Sequence, residues 1–224
     1  MNACPWSSYS PTTMHFCERR LCAWIVEPSN AWSNIAYLVI GVWILWLDRT
    51  PRRSALSAIG VASILVGLGS FAFHATATFV GEVLDISAMY LISGLFVVFN
   101  VRRLWHWSDR QLLALYAALV ASSSALLVMS RVSGVPVFIA HVTVAGVMEL
   151  MLYRRGDGTT RYLFLHLLIG FFAVSFAMWT LDTTGVLCAP DNHIFTGHAF
   201  WHVSNSFCLL WCYRFHQQFA PRPV

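Results

Sequence analysis

The residues best suited to chemistry stand in two short stretches. GSFAFHATATFVGEVLD carries Ser70, His74 and Asp85, and HAFWH carries His198 and His202. Ser70 and His74 are four residues apart, as are His198 and His202, so on helices each pair shares one face, about a turn apart. Two such pairs facing each other, with a carboxylate nearby, describe a metal site with a base beside it. Three neutral imidazoles leave one position of tetrahedral zinc open, and the pKa of water held there falls to about 7. Asp85 is suited to take a proton from that water and hand it to a leaving group. Ser70, one turn before His74, is suited to donate to the oxyanion formed when hydroxide attacks a carbonyl. The alternative for Ser70 is a small residue that lets helices pack closely in GLGS.

The elements that must position these residues are membrane helices. With 58% hydrophobic and only 11% charged residues in 224, the chain is too apolar for an ordinary soluble domain. Seven apolar runs are long enough to cross about 30 Å of hydrocarbon: Ala31 to Leu47, Ser54 to Thr76, Val83 to Val101, Gln111 to Ser130, Val135 to Tyr153, Tyr162 to Thr180 and Ile194 to Phe215. The expectation is an all-α polytopic protein. Residues 1–224 form a single domain of seven transmembrane helices, with 1–30 an extramembrane N-terminal segment, because every backbone polar group must be satisfied inside the bilayer.

Orientation follows from arginine, since the chain has no lysine. Arg49, Arg52 and Arg53, then Arg102, Arg103 and Arg110, then Arg154, Arg155 and Arg161 fall between runs one and two, three and four, and five and six. The positive-inside rule makes these loops and the C-terminal tail, with Arg214 and Arg222, cytoplasmic, and the N-terminus outside or lumenal. Arg19 and Arg20 run against that rule but are outnumbered. In this topology His74, Asp85, His198 and His202 all arrive at the outer membrane depth. Ionisable groups inside a membrane are costly and mark function. Confinement to one side argues against a transporter, and the +4 charge, spread over cytoplasmic loops, argues against nucleic acid.

S-x3-H, an aspartate eleven residues after the histidine, and H-x3-H in the last run resemble the alkaline ceramidases and the wider superfamily of seven-helix membrane hydrolases that includes adiponectin-receptor-like proteins. FCE at Phe16 to Glu18 and EPSNAWSN from Glu27 to Asn34 resemble the ceramidases more closely. The resemblance, spanning about His15 to Trp211, implies a zinc-dependent amidase that cuts ceramide into a fatty acid and a sphingoid base. It makes His74, His198 and His202 the zinc ligands, Asp85 the proton-transfer group and Ser70 the oxyanion donor. The partners are then a membrane lipid, ceramide or another N-acyl lipid, and the bilayer. The membrane is the inner one in a bacterium or the ER or Golgi in a eukaryote. A receptor or sensor of the same superfamily with a mainly structural zinc is the alternative.

The chain departs from the ceramidase pattern at the calcium site of the eukaryotic enzymes. Only Glu18 and Glu27 are acidic there, while His15 and Arg20 replace oxygen ligands. Calcium prefers six to eight oxygens, so weak or no calcium binding is expected, with Arg20 paired to one of the glutamates instead. The resemblance favours a Cys17–Cys188 disulfide over the outer mouth, whereas the sequence alone leaves Cys22–Cys188 open.

The remaining polar residues carry plainer expectations. Asp182 either orients a ligand histidine or caps a helix end, Glu82 faces the membrane interface in preference to hydrogen-bonding within the bundle, and Glu149, close to Arg154 and the cytoplasmic boundary, is a snorkelling or paired residue. Glu27, Asn30 and Asn34 bond backbone groups of neighbouring helices. His106, His141, His166, His193 and His216 are interfacial or hydrogen-bonded, and Cys208 and Cys212 are small core residues.

Overall fold

A computed structural model describes residues 4–49, 55–132, 134–156 and 158–219. Arg52, Arg53 and Arg222, used above for orientation, and Ser54, the expected start of the second run, lie outside the described residues. The described residues form α1 (Pro28–Trp32), α2 (Ile35–Leu47), α3 (Ser57–Thr76), α4 (Phe79–Trp105), α5 (Asp109–Ser130), α6 (Val135–Arg155), α7 (Leu163–Thr183) and α8 (Gly197–His216), with a final 3-10 turn. The protein is an all-α polytopic membrane protein. Six segments are long and apolar enough to span a bilayer: Pro28–Leu47, which joins α1 and α2, and each helix from α3 to α7. The seventh long helix, α8, has the length for a crossing at 20 residues. Its His198, His202, Asn205, Arg214 and His216 dilute its apolar character.

The chain divides into two compact units, residues 1–85 with 161–224, and residues 86–160. The first holds every residue singled out above for chemistry. Its first helix begins at Pro28, earlier than expected, because proline fits the first helical turn, where its missing N–H is not needed. Ser33 and Asn34 then break the helix. Ser33 Oγ donates to the Asn30 carbonyl at 2.9 Å, and Asn34 Nδ2 donates to the carbonyls of Asn30 and Ala31 at 2.8 and 3.3 Å. Side chains competing for the ladder's acceptors produce the jog between α1 and α2.

α3 ends on Ala77, whose left-handed backbone (φ 49°) returns its N–H to the Phe73 carbonyl. Thr78 then caps α4 through its hydroxyl, which accepts from Gly81 N at 3.1 Å. That cap starts α4 a turn before the expected Val83. Two glycines let α3 and α4 approach closely: a Cβ on Gly69 would lie 2.8 Å from the Leu84 carbonyl, and one on Gly81 would lie 2.7 Å from Phe73 Cα. The close approach brings the second turn of α4, with Asp85, against the turn of α3 that carries Ser70. Later in the chain, Thr196 caps α8 by accepting from Ala199 N at 2.9 Å.

The N-terminal segment is irregular and cross-linked by Cys4–Cys22 and Cys17–Cys188. The second bond is the pairing the resemblance favoured. The backbone of the segment also pairs with the end of α3, Val26 N to Ala75 O and Glu27 N to His74 O, both 3.0 Å.

The second unit packs Val97, Val98, Val101, Leu112 and Ala145 into its core. His141 is hydrogen-bonded, as expected, lying 3.0 Å from Ser93 Oγ and 3.3 Å from Ser123 Oγ. Glu149 is paired, one of its two expected states, and its partner is Arg103, whose two terminal nitrogens it takes as a fork against a carboxylate.

Replacing Gly69 with valine forces α3 away from the Leu84 carbonyl. It is expected to lower stability by about 1–3 kcal/mol, the usual cost of overpacking, read as a depressed thermal midpoint of the detergent-purified protein.

Candidate metal centre

His74, in the last turn of α3, is 0% exposed, and His198 and His202 on α8 are 4% and 3% exposed. Their candidate ligand atoms lie within 4.8 Å of one another, and the Nε2 atoms of His74 and His198 are 3.1 Å apart. Phe16, from the N-terminal segment, covers the group, its ring centroid 4.0 Å from that of His198 and 5.1 Å from that of His74. The aromatic ring packs over two of the three imidazoles.

For two of the three rings an outer partner decides which nitrogen carries the proton. His74 Nδ1 lies 2.7 Å from Glu27 Oε2. An ionised carboxylate only accepts, so Nδ1 donates and Nε2 keeps its lone pair. His202 Nδ1 lies 2.8 Å from Ser33 Oγ. The single Ser33 hydroxyl proton already goes to the Asn30 carbonyl, so Nδ1 is again the donor and Nε2 the lone pair. His198 Nδ1 is buried and finds no partner among the described residues. Its backbone N–H, however, is held by Asp182 Oδ2 at 3.1 Å. Two lone pairs aimed at one enclosed point, with a third imidazole beside them, are a donor set that fits a metal cation and could hold one.

Ser70 and Asp85 flank these rings. Ser70 Oγ is 3.4 Å from His202 Nε2. Asp85, 8% exposed, stands on α4 where that helix packs against the Ser70 turn of α3. All five residues singled out from the sequence are thus in one place. Next to them lies a cavity of about 420 Å³ whose walls include Trp32, Phe195, Phe200 and Val203 and whose lining includes Ser33.

Several supporting residues differ from expectation. Glu27 does not bond a backbone: it holds His74, Arg20 Nε at 3.1 Å and Asn30 Nδ2 at 3.3 Å. Burial raises its pKa, but the hydrogen bonds and charges of His74 and Arg20 outweigh that and hold it below the usual value. The Arg20 pairing is the one expected. Asn30 accepts from Thr196 Oγ1 at 2.6 Å, while Asn34 bonds the backbone of its own helical segment rather than a neighbour's. Asp182 orients no imidazole. Its oxygens accept from the backbone N–H groups of Cys17 and His198, both at 3.1 Å, because the exposed donors at the start of α8 are the nearest unsatisfied groups.

Glu82 is fully buried instead of interfacial. It accepts from Thr12 Oγ1 and Thr13 N at 2.6 Å and Thr13 Oγ1 at 2.5 Å, which anchors the N-terminal segment to α4. Glu18 accepts from Ser29 N and Asn30 N at 2.9 Å and from His193 Nδ1 at 3.0 Å. Sequence reasoning missed Glu27, Ser33 and His193 as parts of this assembly. The only signal was the crowding of polar residues in EPSNAWSN ahead of an apolar run.

Residues 8–219 match the ceramidase family. The chain belongs to the ceramidase family. The match takes in every residue of the histidine group and its supports. Over 92 residues the chain is 28% identical to alkaline ceramidase 1 of Mus musculus, a stretch covering 38% of this chain and 34% of that protein. The chain therefore spans about a third of the length of this curated ceramidase relative. The family's name describes a hydrolase, and the membrane character comes from the apolar helices that carry the site.

Ser33→Ala removes the acceptor that fixes the His202 ring. It is expected to weaken metal affinity about 10-fold or more, as loss of a ligand's outer partner does, measured by competition with a chelator.

Proposed function

We propose that this protein is a zinc-dependent amidase of membrane lipids, splitting ceramide, or a related N-acyl lipid, into a fatty acid and a sphingoid base or amine. The observation that carries the reading is the convergence of three buried imidazoles beside Asp85 and Ser70 in a member of the ceramidase family. His74, His198 and His202 would hold zinc through the ring nitrogens that face one another. Zinc held there supplies a Lewis acid that makes water nucleophilic near neutral pH.

The residues of the chain do the rest. Asp85 takes a proton from the attacking water and delivers it to the amide nitrogen as the C–N bond breaks and the C–O bond forms. Ser70 donates a hydrogen bond to the carbonyl oxygen as negative charge builds on it. Phe16 keeps bulk water out from above, which strengthens both interactions. The cavity bordered by Trp32, Phe195, Phe200 and Val203 suits a hydrocarbon chain arriving sideways from the bilayer, with Ser33 linking its wall to His202.

The arginine-rich loops support a site on the outer or lumenal side, in the inner membrane of a bacterium or the ER or Golgi of a eukaryote. The reading includes no calcium. Glu18 and Glu27 commit their oxygens to Ser29, Asn30, His193, His74 and Arg20, which leaves a poor oxygen cage for that ion.

The test is mass spectrometry of lipids after the purified protein is incubated with a panel of ceramides and other N-acyl lipids. The parent protein is expected to release fatty acid and amine. Asp85→Asn is expected to lose about 100-fold or more in rate, the scale of general acid–base catalysis, while keeping its zinc. No release from any lipid by zinc-loaded parent protein overturns the amidase reading and favours a receptor whose zinc is structural.

A further inference from the structure

Arg20 belongs to the N-terminal segment, outside the membrane spans. Its Nε donates to Glu27 Oε1 at 3.1 Å and its Nη2 to the Met14 carbonyl at 2.9 Å. The Arg20 side chain is 31% exposed and that of Glu27 is 3% exposed, so a solvent-side cation reaches inward to a buried carboxylate. The other oxygen of that carboxylate receives His74 Nδ1 and Asn30 Nδ2. Asn30 is neutral, and a ligating imidazole is neutral as well. Among the described residues, Arg20 is then the permanent positive charge bonded to Glu27.

The segment that carries it is held at both ends. Cys17 is joined to Cys188 and Cys22 to Cys4, with Arg20 between. Leu21 N also bonds the Val26 carbonyl at 2.9 Å, which folds the strap back onto the stretch that precedes Glu27. Anchoring Nη2 on Met14 fixes the guanidinium plane. Fixing that plane fixes Glu27 Oε1 and turns Oε2 toward His74.

On the reading that His74 is a zinc ligand, we infer that Arg20 is a built-in cation of the metal centre. It is a positioning residue that acts through Glu27 to keep the His74 proton on Nδ1 and the Nε2 lone pair turned toward His198 and His202. Without the guanidinium the carboxylate loses its charged partner and its fixed plane, and the acceptor that sets the His74 tautomer is no longer held in place. The N-terminal strap thereby does more than cover the site: it sets the basicity of one ligand from outside the membrane.

The experiment measures zinc affinity of the purified full chain by chelator competition, together with thermal stability, for the parent, Arg20→Ala, Glu27→Gln and the double variant. Arg20→Ala is expected to weaken zinc binding about 10–100-fold, as the loss of an outer-shell partner does. Because Arg20 acts through Glu27, the double variant is expected to bind zinc as Glu27→Gln alone does. A role confined to tying down the strap predicts otherwise: a lower thermal midpoint with unchanged zinc affinity in Arg20→Ala, or losses that add in full in the double variant. Either result overturns the inference. If Arg20→Ala does not fold, the same comparison is made with Arg20→Gln, which keeps a stem and a donor but no charge. A parent protein that binds no zinc overturns the proposed function itself, whereas a parent that binds zinc with Arg20→Ala unchanged overturns only the role of Arg20.

Discussion

Burying three imidazoles against one another is unfavourable unless something behind each ring decides where its proton sits. The contact between Glu27 and His74 does this most clearly, placing an acceptor-only group on Nδ1 and leaving Nε2 for the shared centre. Much of the first unit serves that contact. Glu27 needs α1 to begin at Pro28, Glu18 to hold the first N–H groups of that helix, and Arg20 to offset its own burial. His74 needs α3 to end at the turn whose carbonyls at 74 and 75 receive the strap. The polar residues here form one connected network rather than a set of separate caps, which is the form buried polar groups must take when few waters can reach them.

The two units use buried charge differently. In the second, Arg103 and Glu149 satisfy each other, and His141 rests between two serines. Among the described residues these contacts leave no group of three metal-ligating side chains. In the first, His74 and His202 are each held from behind through Nδ1, and the three imidazoles lie close enough to share one ion. Polar burial fastens helices together in one unit and gathers candidate ligand atoms in the other.

The histidine group was legible in the sequence because helical spacing and membrane depth are both local properties. S-x3-H and H-x3-H fix faces, and run length with arginine placement fixes depth. The helices were legible for the same reason, with ends off by a turn where Thr78 or Pro28 supplied a cap that hydropathy does not see. The supports were not legible. Glu27 meets His74 across 47 residues and Ser33 meets His202 across 169, and no spacing rule reaches that far. Glu82 was misjudged because a carboxylate near a helix start resembles an interfacial one until Thr12 and Thr13 fold onto it. Asp182 was seen to matter, but the group it serves is a backbone N–H, which the sequence cannot single out.

The Cys17–Cys188 link joins chain positions separated by 171 residues, and the site it covers draws on both ends of the chain and on little from the middle. During synthesis α3 and the N-terminal strap are made early, but α8 arrives last, bringing two of the three imidazoles. A chain still being inserted thus carries the supports without the centre. The histidine group is then complete only after the final helix has been made, and the disulfide that joins the first and last segments can close only once Cys188, just ahead of that helix, has been made.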